Sequence, residues 1–199
     1  MSGGPALPRL LPLACLALVV AGGPLVAGCA AVVLGATAGA GTLVAMDRRS
    51  SSVRASDQAI ESKVTRDAAN RWPSGVHLNV TSYDGKVLLT GEVPTAAIRD
   101  EIAQLAASTE YVRGVNNELV VGPETEYGAR TQDTYITTKV KARLIEAGRF
   151  DANNVKVVTE RSIVYLLGLV SREEGNAAAE IAASTTDVAR VVKLFEYTD

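Results

Sequence analysis

The chain repeats itself once, and this limits its architecture more than any other feature. Val87-Leu88-Leu89-Thr90-Gly91-Glu92-Val93-Pro94 returns as Val164-Tyr165-Leu166-Leu167-Gly168-Leu169-Val170-Ser171, displaced by 77 positions. Leu105-Ala106-Ala107-Ser108-Thr109 returns as Ile181-Ala182-Ala183-Ser184-Thr185, displaced by 76. A duplicated unit of this size predicts two small domains of one topology. Each would be marginal alone, because a domain of about 60 residues buries only about 60% of its unfolded surface. Packing of the two copies against each other is therefore expected.

The periodicity within each copy gives its elements. Ile60, Val64 and Ala68 at four-residue spacing predict a helix over 57–71. Apolar stretches at 76–81 and 86–91 flank Tyr83-Asp84-Gly85, a hairpin signal. A second helix carries Ile98, Ile102, Leu105 and Ala106 on one face, and 112–121 reads as the last strand. The second copy follows the same order. A helix presents Ile136, Val140 and Leu144, strands cover 155–160 and 163–168, the capping box Ser171-Arg172-Glu173-Glu174 opens a helix, and a strand covers 188–197. Each copy reads α-β-β-α-β. Gly91 and Gly168 close equivalent strands, where a glycine serves backbone conformation or close approach. The segment 123–132, beginning Pro123-Glu124-Thr125-Glu126-Tyr127-Gly128, reads as a linker, as does Ser50-Ser51-Ser52.

The first 46 residues are a different material. Only Arg9 of the 42 charged side chains precedes Asp47. Arg9 is followed by 19 uncharged residues, Leu10 to Gly28, which lead into Val26-Ala27-Gly28-Cys29, the plan of a secretory signal. These four residues resemble the lipobox of bacterial lipoproteins, which makes residues 1–28 a signal peptide and Cys29 the lipidated first residue. The alternative is an uncleaved membrane helix, since 19 residues suffice to span a bilayer. Pro5, Pro8, Pro12 and Pro24 disfavour it. The Ala- and Gly-rich run that follows reads as a tether within 29–55, although Gly35 and Gly39 also have the small-xxx-small spacing of close-packed helices in lipid.

Composition excludes several functions. Cleavage at Cys29 leaves 19 basic against 22 acidic residues, a net charge of −3, which supplies no general attraction to nucleic acid. The mature chain has no second cysteine for a disulfide, and one histidine, His77, cannot form a histidine-pair metal motif; no metal or cofactor is expected beyond the lipid on Cys29. His77 reads as a surface or pairing residue at a strand start. No nucleophile elbow accompanies the serines, so no enzymatic activity is expected.

The duplicated α-β-β-α-β unit, with Asn79-Val80-Thr81, Gly85-Lys86-Val87-Leu88-Leu89, Asp133-Thr134-Tyr135-Ile136-Thr137-Thr138-Lys139-Val140 and Asn154-Val155-Lys156-Val157, resembles the dual BON-domain lipoproteins of the bacterial outer membrane. The resemblance implies an α+β fold, with BON domains at 56–122 and 133–199, each a three-stranded mixed sheet packed on two helices. It implies a non-enzymatic protein anchored in the outer membrane, facing the periplasm, supporting envelope integrity and binding anionic phospholipid through the first helix of the second domain. Partners implied are the phospholipid membrane and outer-membrane assembly or peptidoglycan-remodelling proteins at division sites.

That helix carries its own argument. Tyr135, Thr138, Ala142 and Ile145 lie opposite its core face, flanked by Lys139 and Lys141, with Arg143 nearby and no acid between 134 and 145. An apolar strip with an aromatic and snorkelling cations suits a lipid interface. The family has tryptophan where this chain has Tyr135. The alternative is an ordinary solvated helix with Tyr135 packed on the neighbouring domain. At the level of function, the alternative to lipid binding is a lipid-anchored protein-interaction adaptor.

Overall fold

A computed structural model of the chain describes residues 47–199. The signal peptide, Cys29 and the Ala/Gly run lie outside the described residues. The elements are α1 (Ser51–Arg71), β1 (His77–Tyr83), β2 (Lys86–Val93), α2 (Ala96–Ala107), β3 (Gly114–Asn117) and β4 (Val120–Val121). A second set follows: α3 (Tyr127–Ala147), a 3-10 turn (Ala152–Asn154), β5 (Val155–Glu160), β6 (Ile163–Val170), α4 (Arg172–Ala183) and β7 (Arg190–Tyr197). The α+β, twice-repeated α-β-β-α-β architecture is the one the sequence implies.

Three differences from the sequence reading have local causes. α1 begins at Ser51, because the Ser50 hydroxyl accepts the Val53 N–H as an N-cap; the serine run is a helix start, not linker. α3 likewise begins at Tyr127, inside the stretch read as linker. The single strand expected over 112–121 is two, β3 and β4. Between them Leu119 turns into the core at 5% exposure, and its N–H is taken by the Asn117 side chain. Both short strands still run parallel to β2, while β1 pairs with β2 antiparallel. The second sheet has the same mixed logic without the break, in the order β5-β6-β7.

β2 and β6 are buried on both faces, which explains their near-continuous apolar runs. On β2, Val87, Leu89 and Val93 enter a core with Ile60, Val64, Ile102 and Ala106. On β6, Val164, Leu166 and Val170 enter a second core with Ile136, Val140, Leu144 and Phe195. The alternate residues form a third cluster between the sheets: Tyr83 and Leu88 from the first module against Tyr165 and Leu167 from the second. Leu88 and Leu167 are 0% and 1% exposed, and each contributes roughly 2–3 kcal/mol to docking by burial. Burial, aided by the Glu118 carboxylate that accepts its hydroxyl, pushes the Tyr165 phenol up to about 12.

Both central strands also need their glycines. A Cβ at Gly91 would run into the His77 carbonyl oxygen, and one at Gly168 into the Asn154 carbonyl oxygen. The two positions are equivalent close approaches of neighbouring backbones.

Candidate functional site

The predicted lipid face lies on α3. Its inner face, Ile136, Val140 and Leu144, is fully committed to the second core. The opposite strip stays outside: Tyr135 is 55% and Ile145 71% exposed, and Thr138 and Ala142 are exposed between them. Tyr135 is therefore not a docking residue for the first module. The Thr138 hydroxyl donates to the Thr134 carbonyl of its own helix, so its hydrogen-bonding capacity is partly met inside the helix.

The three basic residues have different surroundings. Lys139 sits over the Tyr135 ring at 5.1 Å and donates to Asp187 at 3.2 Å. Arg143, counted with the two lysines as a lipid-binding cation, folds back to the end of α4, donating to the Thr185 hydroxyl at 2.9 Å and the Ile181 carbonyl at 3.4 Å. A long guanidinium beside an open helix C-terminus satisfies those acceptors rather than solvent. Lys141 is exposed at the rim of a cleft of about 300 Å³, shared with Leu144, Ile145, Val155 and Lys156 of the second module and Arg49 and Tyr83 of the first.

Arg49 fixes the point at which the chain enters the described domains. It pairs with Asp47 and, at 2.8 Å, with Asp57, and stacks on the Tyr83 ring at 3.8 Å. Arg48 makes a two-pronged pair with Glu174 at 2.7 and 2.8 Å and donates to the Leu169 carbonyl. The start of the described chain is thus held by both modules, and it borders the cleft that Lys141 and Ile145 line.

Sequence reasoning missed two arrangements. The first is a latch from each leading helix to its hairpin turn. Asp57 accepts from the Ser82 hydroxyl and from the N–H groups of Asp84 and Gly85; Asp133, at the equivalent position, accepts from the N–H groups of Arg161 and Ser162. Burial works against the Asp57 charge, but Ser82, Gly85, Asp84 and Arg49 outweigh it and hold this carboxyl below the usual range. The signal was the repeat of Asp-x-x-Ile-x-x-Lys-Val at 57–64 and 133–140. The second is a polar cluster at the module seam. His77 and buried Glu92 from the first module meet Glu160 from the second, and all three can offer a ligand atom within 4.8 Å of the others.

Residues 56–123 and 132–199 each match the BON domain, and the chain belongs to the BON-domain family, as a tandem member. It is 38% identical over 194 residues to Outer membrane lipoprotein DolP of Haemophilus influenzae, covering 96% of this chain and 99% of that protein. It is 33% identical over 154 residues to the 21 kDa hemolysin of Actinobacillus pleuropneumoniae, covering 76% and 79%. It is 29% identical over 118 residues to Osmotically-inducible protein Y of Escherichia coli, covering 58% and 59%. The full-length relationship to the first of these makes the chain an outer-membrane, lipid-anchored protein.

Proposed function

We propose that the protein binds anionic phospholipid through the exposed face of α3 while Cys29 carries its acyl anchor, and that it supports the integrity of the envelope in this way. The observation that carries this reading is the strip of Tyr135, Thr138, Ala142 and Ile145, left bare on a helix whose other face is fully buried. Tyr135 and Ile145 supply apolar insertion. Lys141 reaches headgroup phosphates, and Lys139 can exchange its exposed Asp187 partner for one. Each lysine near an anionic surface is worth about 1 kcal/mol, so the surface alone binds weakly. The acyl chain raises the local concentration of the face at the membrane. Arg49, near the start of the described chain, borders the same cleft as Lys141 and Ile145, so the chain enters the domains close to this face.

The test is flotation of residues 47–199 with anionic and with neutral vesicles. Charge-selective binding that is lost in Tyr135→Asp and in the Lys139→Ala, Lys141→Ala pair supports the reading; absence of wild-type binding defeats it.

A second reading, a lipid-anchored adaptor for outer-membrane assembly or cell-wall remodelling proteins, draws on the first module. Tyr111 is 67% exposed at a positive φ of 67° and borders a cleft of about 310 Å³ with Val53, Ile60 and Arg113. A bulky residue held in the left-handed region carries backbone strain, a mark of functional positions. An adaptor would be indifferent to lipid charge and to Tyr135→Asp.

A further inference from the structure

We propose that His77 and Glu160, assisted by Asn79, bind a divalent transition-metal ion of the zinc type at the seam between the two modules. The lone histidine that composition sets aside is completed by residues brought from far along the chain. His77 Nδ1 lies 2.9 Å from Glu92 Oε2, and the Glu92 carboxylate is wholly buried. With the proton on Nδ1 donated to Glu92, the Nε2 lone pair is left free on the other side of the ring, where Asn79 lies. The Asn79 amide nitrogen sits 3.4 Å from His77 Nε2 and 2.8 Å from Glu160 Oε2. It occupies the position of a cation between an imidazole and a carboxylate. Turning this amide about its last torsion offers Oδ1 to the same space as a further ligand.

Three independent features support a metal rather than a plain hydrogen-bond network. A carboxylate accepting the far N–H of a histidine is the arrangement that fixes ligand histidines elsewhere, setting tautomer and raising basicity. Glu160 is 6% exposed and comes from the other module, so its charge has been taken out of water at an interface. A cavity of about 250 Å³ opens on His77, Asn79, Thr159 and Glu160, with room for the ion and its remaining water ligands. The charge around it is net negative: Glu92, Glu160 and Asp133 against Arg130 and Arg161. Nitrogen plus carboxylate oxygen at low ligand number suits zinc, whereas magnesium and calcium prefer all-oxygen shells.

The ligands come from different modules, so the ion would clamp their docking. The experiment uses the mature acylated protein in detergent, without a polyhistidine tag, stripped by chelator and titrated calorimetrically with Zn²⁺. Saturable binding of one ion per chain is expected, undisturbed by excess Mg²⁺, with a rise in melting midpoint on loading. His77→Asn and Glu160→Gln should each weaken binding by more than about tenfold and abolish the rise on loading, while the metal-free variants keep the folded circular-dichroism spectrum of the metal-free wild type. Absence of saturable binding in the wild type overturns the proposal. Binding that survives either substitution in a folded variant overturns it too.

Discussion

The leading helices of the two modules occupy the same place in the same fold and show different outer faces. α1 presents Ala59, Ser62, Arg66 and Ala69 where α3 presents Tyr135, Thr138, Ala142 and Ile145, all exposed. Their inner faces differ little: Ile60, Val64 and Ala68 correspond to Ile136, Val140 and Leu144. Packing demands are thus met in nearly the same way, and the divergence falls on positions that packing leaves free, which is where function is written. The sharpest test is to exchange the strips. Giving α3 the small residues of α1 (Tyr135→Ala, Thr138→Ser, Ile145→Ala) removes two large apolar insertions, worth roughly 3–4 kcal/mol together. Ala142 stays in place, because an arginine there would bring its own attraction to phosphate. Binding of residues 47–199 to anionic vesicles should fall at least about a hundredfold by co-sedimentation, with the melting curve nearly unchanged. The reverse exchange on α1 (Ala59→Tyr, Ser62→Thr, Ala69→Ile) should create a second, weaker membrane-binding face.

The turn latches are the next contrast. Asp57 serves three donors within its own hairpin and pairs with Arg49, while Asp133 serves two backbone N–H groups. Removing a buried charged acceptor strands its donors. Asp57→Asn should therefore cost about 2–3 kcal/mol in urea unfolding and Asp133→Asn about 1–2 kcal/mol; equal costs would dissolve the distinction. Asp57 and Glu92 also predict an acid sensitivity centred on the first module and the seam. Burial opposes the Glu92 charge, but Thr125 and His77 prevail and hold its carboxyl below the ordinary 4.5, as the donors hold Asp57 below 3.8. A folded-state pKa lowered in this way adds stability above the unfolded value, and that stability is lost as pH falls through the folded one. Trp72 packs on the first core. Its fluorescence should report loosening as pH drops below about 4, with a shallower response in Asp57→Asn.

Much of this is legible in the sequence because the repeat and the four-residue apolar spacing are local signals. The helices, both hairpins and the bare strip of α3 need only neighbouring residues to be seen. The double-sided burial of Leu88 and Leu167 is less evident, because a continuous apolar strand does not say what covers its second face. Arg143 misleads for a similar reason: its acceptors, Thr185 and the Ile181 carbonyl, lie about 40 residues away in sequence. The broken last strand of the first module depends on Leu119 entering the core and Asn117 capping its N–H, a tertiary choice. His77 escapes notice because counting histidines and cysteines ignores carboxylates delivered by another module.

The smallest expected effect lies in the two hairpin turns, which share a geometry and differ in chemistry. Asp84 and Gly85 have φ of 50° and 73°, and Arg161 and Ser162 have φ of 54° and 60°, so both turns place two residues in the left-handed region. Two-residue hairpins of this hand fit the strand twist and favour Asn, Asp and Gly. The first module obeys that preference for a steric reason as well: a Cβ at Gly85 would meet the Tyr111 carbonyl oxygen at 2.6 Å. In the second module the same tight geometry is imposed on arginine and serine by the Asp133 latch, with the Ser162 carbonyl accepting the Ala189 N–H as the Gly85 carbonyl accepts the Arg113 N–H. The latch therefore works against a local preference in one module and with it in the other. Replacing the pair by Arg161→Asn and Ser162→Gly should relieve the strain and stabilise the second module by about 0.5–1 kcal/mol in urea unfolding. The gain should persist in Asp133→Asn, because a turn that adopts its shape unaided depends less on the carboxylate. A loss of stability would show that the Arg161 pair with buried Glu92, 3.7 Å across the seam, outweighs the strain of the turn.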